Sequence, residues 1–346
     1  MHLIVPGIVS AFVLTYFLVP FVIGMSHKRH LFAHASERSS HRENISALGG
    51  IAIFAGILIP LSCYWLLFET FRELPYLLAA MGVVFLIGLR DDVVPVSPFL
   101  KLLGQSLAVV LLLFKTDLYL SGFHGLIGLH DAPPWLMYLF TALFLLFLTN
   151  AFNLIDGIDG LAGSIGALVL ATYGCWFWVI HQTDYALLAF ITASAVLSFL
   201  RYNFTPARIF MGDSGALIVG LVCAILTIRF IEVPAGSEQP IFSQPLVVAI
   251  ALLIIPVFDT LRVFFTRIYR GQHPLKADRR HIHHMLLDLG YSHMQATALL
   301  VSVNIFCITL VFSLEKHMDM HWLLLILFGM ATLGTYLLHR KRRQLQ

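Results

Sequence analysis

Residues 134–161 of the chain read PWLMYLFTALFLLFLTNAFNLIDGIDGL, a long apolar block with a polar end. Positions 134–152 carry no charged side chain, and a helix of about 20 apolar residues crosses the hydrocarbon core of a bilayer. The apolar residues are contiguous, whereas strands of a transmembrane barrel alternate apolar and polar residues. The stretch therefore predicts a membrane-spanning helix that ends in a polar loop.

The rest of the chain has a similar composition. Its 346 residues are 59% hydrophobic and 12% charged, with a mean hydropathy of +0.85, whereas a soluble domain is roughly 25% charged. No soluble core could hide so much apolar surface, which excludes a soluble enzyme. We predict an all-α polytopic membrane helical bundle that forms a single domain over residues 1–346. Eleven transmembrane helices are expected, at 3–25, 46–68, 75–89, 99–115, 134–152, 161–180, 185–200, 215–231, 245–262, 296–314 and 322–338.

The basic residues predict the orientation of this bundle. With eleven spans, one set of loops and span margins carries 18 of the 22 lysines and arginines, and the other set carries four. Because basic loops stay in the cytoplasm, we expect the N-terminus outside and the C-terminus in the cytoplasm. The host membrane would be the bacterial inner membrane. The basic tail His339–Arg343 is typical of an anchor for lipid headgroups.

Polar residues at membrane depth are usually functional, and here they cluster in the predicted cytoplasmic loops. The first cluster is Asp91-Asp92, where two adjacent carboxylates repel each other and attract a cation or a proton. Lys101 follows at the start of the next span, where it could hold a phosphate. The alternative is a solvated helix end with Arg90 as partner and a snorkelling lysine. Acids of the opposite loops are expected simply to face water; they are Asp117, Asp131, Asp184, Glu232 and Glu238.

The second cluster closes the quoted stretch, where Asn150, Asn153, Asp156 and Asp159 recur every third residue. Carboxylate and amide oxygens suit Mg²⁺, which also keeps waters and substrate phosphates as ligands. A polar hairpin between two spans would explain the aspartates, but not oxygen ligands that begin within the apolar run. The spacing therefore indicates a site for Mg²⁺ and phosphate.

Two further clusters face the same side. Asp213 lies just before the eighth predicted span, between glycines that leave room for a metal or a phosphate. Phe210, three residues earlier, could stack on a planar base, although core packing is the more frequent role of such a residue. The run His281–His284 could bind zinc, but Arg279-Arg280 beside it would repel a dication. A basic clamp for a diphosphate fits this loop better.

From about Arg38 to Gly290 the chain resembles, motif by motif and in order, the polyprenyl-phosphate N-acetylhexosamine-1-phosphate transferases. This family includes WecA/TagO-type enzymes and MraY-type translocases. The His-x-His-His form resembles the WecA/TagO branch, because MraY-type proteins carry three consecutive histidines. The first cytoplasmic loop departs from the family pattern, since Ala33, Ala35 and Ser46 replace its usual Asp and Pro residues. The matching motifs are Gly49-Gly50, Asp91-Asp92, Asn150–Leu161, Pro206–Gly215 and His281–His284.

The resemblance implies a reaction. An N-acetylhexosamine-1-phosphate, most simply GlcNAc-1-phosphate, would pass from a UDP-sugar to undecaprenyl phosphate and leave UMP. The product would initiate a cell-surface polysaccharide such as O-antigen. The implied cofactor is Mg²⁺, with Mn²⁺ as a substitute. The implied partners are the two substrates and membrane lipid, with no nucleic acid and with a homodimer left open. The sugar also stays open, because N-acetylgalactosamine and a 6-deoxy-N-acetylhexosamine are alternatives.

The resemblance also implies roles for single residues. Asn153 and Asp213 would bind Mg²⁺, Asp91 would act on the lipid phosphate, and Asn203 with Phe210 would contact the uracil. Catalytic carboxylates would be Asp91, Asp92, Asp156 and Asp159. Substrate-binding residues would be Lys101, Asn203, Phe210, Arg279, Arg280, His281, His283 and His284.

Three other functions use similar residues. An MraY-type enzyme would transfer phospho-MurNAc-pentapeptide, and a membrane phosphatase would hydrolyse polyprenyl diphosphate. A polyprenyl-lipid transporter or flippase belongs to a different class, but its polar sites would lie near the bilayer midplane. The polar clusters of this chain lie instead at one predicted face.

Overall fold

The computed structural model describes residues 4–29, 31, 45–68, 70–129, 131–232, 242–272 and 280–345, and within these ranges it is helical, with no strand. One isolated bridge joins Gly122 and Asp131. The α-helices are α1 (Ile4–Arg29), α2 (Gly49–Phe68), α3 (Leu74–Val93), α4 (Pro98–Lys115), α5 (Pro134–Ile155), α6 (Leu161–Val179), α7 (Thr183–Asn203), α8 (Gly212–Glu232), α9 (Pro245–Leu252), α10 (Ile254–Tyr269), α11 (Ile282–Asp288), α12 (His293–Leu314) and α13 (Met320–Leu345).

In the described part of the chain, ten helices are long and apolar enough to cross a membrane, and α9 with α10 makes an eleventh candidate span. The predicted all-α membrane bundle with about eleven spans is therefore confirmed. The continuous helix expected over 245–262 is wrong, because α9 and α10 meet at an angle of 78°. Pro256 causes a break there, since it cannot donate a hydrogen bond to the carbonyl of Leu252. Asn304 of α12 stabilises the break by donating to the carbonyls of Ala251 and Leu252, at 3.3 and 3.2 Å.

Helix α8 forms the centre of the bundle. It is apolar on all sides and almost completely buried, as expected for a helix surrounded by other helices. It packs against α2, α3, α5 and α6. The N-terminal end of α8, which carries Asp213, therefore lies among the ends of its neighbours.

At the opposite end of the bundle, the acids expected only to face water behave in two ways. Glu232 accepts a hydrogen bond from the backbone N–H of Ser121 at 2.9 Å and lies 2.7 Å from Nε2 of His124. Asp184 accepts a hydrogen bond from the hydroxyl of Tyr64 at 3.3 Å. The expectation is therefore wrong for these two, because Glu232 joins α8 to the loop with Ser121 and His124, and Asp184 joins α7 to α2. Asp117 and Asp131 are exposed as expected, and Glu238 lies outside the described residues.

Candidate active site

The ends of α3, α4, α5 and α8 converge at one end of the bundle. Two glycines permit the approach. A Cβ on Gly88 of α3 would lie 2.5 Å from Cα of Ser214, and one on Gly50 of α2 would lie 2.2 Å from Oγ of Ser214. The segment before α2 also pairs with the chain before α8, because Phe210 donates its N–H to the carbonyl of Ser46 at 2.8 Å. These contacts hold Asp213 against the end of α3.

The ammonium group of Lys101 lies at the centre of this convergence. Its Nζ is 3.1 Å from Oδ2 of Asp91 and 3.3 Å from Oδ1 of Asn153, and it also pairs with Oδ2 of Asp213. Asn153 in turn donates from Nδ2 to Oδ1 of Asp213 at 2.7 Å. Side chains from three helices, α3, α5 and α8, thus surround the positive charge that α4 carries.

The neighbouring acids Asp91 and Asp92 have different partners. Asp91 turns to Lys101 and accepts a hydrogen bond from the N–H of Val96 at 2.7 Å. Asp92 accepts hydrogen bonds from the N–H groups of Asp213 and Ser214, at 2.7 and 3.0 Å, and from the Ser214 hydroxyl at 2.6 Å. Asp92 therefore caps the N-terminus of α8 from another helix, where a negative charge is also stabilised by the helix dipole.

Asp156 directly follows α5, beside the group around Lys101. Burial, together with the negative charges of Asp213, Asp92 and Asp159, raises the pKa of the Asp156 carboxyl to about 8. Binding of a ligand that places a cation or a hydrogen-bond donor next to this carboxyl would therefore be strongly favoured. Without such a ligand, the Asp156 carboxyl is largely protonated at neutral pH.

Asp159 is buried and joins three segments of the chain. Its Oδ2 accepts a hydrogen bond from the hydroxyl of Thr205 at 2.8 Å, and its Oδ1 lies 3.1 Å from Nδ1 of His293. Its carbonyl accepts a hydrogen bond from the hydroxyl of Thr297, also at 2.8 Å. These contacts hold the loop between α5 and α6 against α12.

Asn203 and Phe210 flank the same loop. The buried Asn203 accepts a hydrogen bond from the N–H of Gly160 and donates one to the carbonyl of Ile209, both at 2.9 Å. Both ends of its amide are therefore engaged with the backbone in this structure. Phe210 is partly buried.

The histidine run differs from the polar loop that the sequence predicted. His281 precedes the short helix α11, and His283 and His284 lie within it; all three are buried. The ring of His283 packs on Gly157, where an added Cβ would lie 2.2 Å from Nε2. Burial, with His284 nearby, lowers the pKa of His283 to about 3, so this ring is neutral. Arg280 is partly buried, and Arg279 lies outside the described residues.

Asp259 orients this run and was missed by the sequence analysis. Its Oδ2 lies 2.9 Å from Nδ1 of His281, and its Oδ1 accepts hydrogen bonds from Ile282 N–H at 3.1 Å and Arg262 at 2.7 Å. The signal was present, because Asp259 is a single acid at the end of the apolar run that begins at Pro245. An ionisable residue within a span is itself a sign of function.

The donor set around Lys101 fits Mg²⁺. No three His, Cys, Asp or Glu side chains form a ready metal cage in the described ranges. Mg²⁺, however, is usually held by one or two carboxylates, with waters and substrate phosphates completing its shell. Oxygens of Asn153 and Asp213 already converge on a positive charge, the ammonium of Lys101. The Lys101 ammonium thus stands where a bound cation would be stabilised.

Comparison with known proteins gives this site a family. The model of glycosyl transferase family 4 matches residues 74–231, from α3 to α8. A decaprenyl-phosphate N-acetylglucosaminephosphotransferase of Mycolicibacterium smegmatis is 30% identical over 314 residues, which are 84% of this chain and 77% of the relative. The chain belongs to glycosyl transferase family 4. The resemblance to the polyprenyl-phosphate sugar-1-phosphate transferases is thereby confirmed.

Two other relatives cover similar lengths. The undecaprenyl-phosphate alpha-N-acetylglucosaminyl 1-phosphate transferase of Escherichia coli K12 is 28% identical over 94% of this chain and 88% of its own length. A probable undecaprenyl-phosphate N-acetylglucosaminyl 1-phosphate transferase of Bacillus subtilis is 28% identical over 86% and 82%. The glycosyl transferase family 4 match contains the Lys101 cluster but ends before Asp259 and the histidine run.

Proposed function

We propose that this membrane protein transfers GlcNAc-1-phosphate from UDP-GlcNAc to undecaprenyl phosphate. The products would be undecaprenyl-diphospho-GlcNAc and UMP, and the lipid product would initiate a cell-surface polysaccharide. Relatives named for this acceptor and this sugar support the proposal. The observation that carries it is the convergence of Asp91, Asn153 and Asp213 on the ammonium of Lys101.

In the proposed reaction, an oxygen of the lipid phosphate attacks the β-phosphorus of the nucleotide sugar. The bond from this phosphorus to the bridging oxygen breaks, and the electron pair leaves with UMP. Asp91, which contacts Lys101, would orient the lipid phosphate. A phosphate monoester has a second pKa of about 6, so the acceptor needs little help to lose its proton. The demands are positioning and charge neutralisation.

We assign Mg²⁺ to Asn153 and Asp213, which already share a hydrogen bond. When bound to the diphosphate, this ion would supply neutralisation of the charge on the departing phosphate. Lys101 would then be released from the carboxylates and could pair with substrate phosphates. Asp156 lies beside the same oxygens and would hold the nucleotide side of the pocket.

The proposed site faces the cytoplasm of a bacterial inner membrane. The excess of basic residues in the loops at this end supports that orientation. The position of the polar groups at one end of the bundle also argues against a transporter, whose sites lie near the midplane. Relatives named for N-acetylglucosamine favour this sugar over the phospho-MurNAc-pentapeptide of MraY-type enzymes.

Purified protein supplied with radiolabelled UDP-GlcNAc, undecaprenyl phosphate and Mg²⁺ tests the proposal. Label should move into a butanol-soluble lipid while UMP appears in equal amount, and neither should occur without the lipid phosphate. Lipid product from UDP-MurNAc-pentapeptide alone would establish the MraY-type reaction instead. Release of inorganic phosphate from polyprenyl diphosphate, without sugar transfer, would establish a phosphatase.

Variants of α4 test the role of the central lysine. Lys101→Gln removes a charged donor from the phosphate site, which costs about 1.5–3 kcal/mol. We therefore expect turnover to fall roughly ten- to hundred-fold. Lys115→Gln is the matched control, because Lys115 is exposed at the other end of the same helix. Equal turnover in the two variants would exclude Lys101 from the site.

A further inference from the structure

A cavity lined by basic residues lies beyond the histidine run, between α10, α11 and α13. Its volume is about 330 Å³, roughly that of ten water molecules. Four arginines and one histidine line it, and no acid does so among the described residues. The lining residues are Arg262, Thr266, Arg270, Arg280, Met285, His339 and Arg342.

Among the described residues, two arginines of this cavity pair with an acid, and neither acid lines the cavity. Arg262 pairs with Asp259, and Arg342 pairs with Asp288, at 2.7 and 2.8 Å. Guanidinium groups gathered around one cavity repel one another, and an anion placed between them relieves that repulsion. The lining therefore favours an anionic group in the cavity.

The surroundings of the cavity indicate which class of molecule carries the anionic group. Helix α13 is apolar up to Leu338 and turns basic at His339, so the cavity lies where the helix leaves its apolar stretch. The side of α10 that carries Phe265, Ile268 and Tyr269 is exposed and largely apolar. Apolar surface beside a basic pocket suits a molecule with both an anionic head and apolar chains.

We propose that this cavity binds the phosphate headgroup of an anionic membrane phospholipid. The planar guanidinium groups match phosphate oxygens in geometry and charge. The acyl chains would lie along the exposed apolar side of α10. Because Arg262 also bonds to Asp259 and to the carbonyl of Arg280, the bound headgroup would stabilise the segment that positions His281.

A binding experiment on the full chain in phospholipid-free detergent tests the proposal. The pocket variant is Arg270→Gln with Arg342→Gln, and the matched control is Arg340→Gln with Arg343→Gln. Both remove two charges, but Arg340 and Arg343 are exposed and do not line the cavity. The readout is the rise in the melting temperature during titration with short-chain phosphatidylglycerol, short-chain phosphatidylcholine or inorganic phosphate, at constant ionic strength.

We expect phosphatidylglycerol to stabilise the wild type and the control variant at the same concentrations. The pocket variant should require roughly ten- to hundred-fold more lipid, as loss of a charged hydrogen bond implies. Equal weakening in the control would show diffuse charge attraction and overturn the proposal. Equal stabilisation by phosphatidylcholine, or by inorganic phosphate alone, would overturn the assignment to an anionic lipid.

Two further measurements distinguish phospholipid binding from misfolding of the variant and from binding of the acceptor lipid. Arg270→Gln alone breaks no ion pair among the described residues, so it should fold normally and still weaken lipid binding. Turnover at limiting undecaprenyl phosphate, without phospholipid, should be the same in the pocket and control variants. A loss of turnover confined to the pocket variant would assign the cavity to the acceptor lipid and overturn the proposal. This outcome does not depend on whether the proposed sugar is correct.

Discussion

Asp91 and Asp92 are adjacent carboxylates in one helix, yet they contact different groups. Successive residues of a helix point about 100° apart, so the two side chains reach different neighbours. Asp91 meets the ammonium of Lys101, and Asp92 meets the N-terminus of α8. We therefore expect one to affect turnover and the other to affect stability.

Substitution of each acid by alanine separates these effects. Asp92→Ala leaves the first N–H groups of α8 without an acceptor, which should lower the free energy of unfolding by about 1–3 kcal/mol. The measurement is thermal unfolding in detergent. Asp91→Ala is the control, since Lys101 keeps Asp213 and Asn153 as partners. A larger loss of stability for Asp91→Ala would contradict the capping role of Asp92.

The proposed metal ligands make a second prediction at this scale. Asp213→Asn keeps the shape of the side chain but removes its charge. We expect lower turnover and a shift of half-maximal activity to higher Mg²⁺ concentration, because the ion acts mainly on charge that develops in the transition state. The measurement is turnover against Mg²⁺ concentration.

Asp91→Asn provides the comparison for the metal assignment. It should lower turnover but leave the Mg²⁺ requirement unchanged, because we assign Asp91 to the lipid phosphate. If the Mg²⁺ requirement shifts in Asp91→Asn and stays constant in Asp213→Asn, the ion must instead be assigned to the Asp91-Asp92 pair.

At the scale of the elements, the bend between α9 and α10 decides where the histidine run lies. A straight helix over 245–262 would not turn Asp259 toward the start of α11. Pro256 and the contacts of Asn304 stabilise the bend, and Asp259 then joins α10 to His281 and Ile282. Asp259 thus acts as a positioning residue for the run.

This docking of α11 can be measured directly. Asp259→Ala removes the acceptor of three groups, so amide hydrogen exchange across Ile282–Asp288 should rise at least about tenfold, since each lost bond costs about 1–3 kcal/mol. Asp288→Ala is the control from the same short helix. It breaks only a partly exposed ion pair with Arg342, worth about 0–1 kcal/mol. Equal exchange in both variants would mean that Asp259 does not hold α11.

At the scale of the whole molecule, basic residues are concentrated at the end of the bundle that carries the candidate site. The same asymmetry predicts the orientation in the membrane. In a background without the four native cysteines, single cysteines at Ser36 and Ser237 should label oppositely with an impermeant thiol reagent in intact cells. Only the second should react. Labelling of both positions, or of Ser36→Cys alone, would refute the proposed orientation.

Sequence alone was enough for the class of fold, the approximate spans and the positions of most polar clusters. These features depend on local properties, because about 20 consecutive apolar residues suffice for a span and polar residues among them are conspicuous. The order of the motifs was also enough for the family. Asp259 is within reach of the same reasoning, although the apolar run around it predicts a continuous span.

Only the tertiary structure decided which polar groups meet. Lys101 and Asp213 are far apart in sequence, and so are Asp92 and Ser214, yet each pair meets where helix ends converge. Arg270 and Arg342 are also distant in sequence and line one cavity. Such contacts depend on how helices pack, and here small residues such as Gly50 and Gly88 allow a close approach. The bend at Leu253 likewise needs Asn304 from another helix. Hydropathy describes each segment separately, whereas packing couples distant segments, and therefore the sequence pattern did not contain the site geometry.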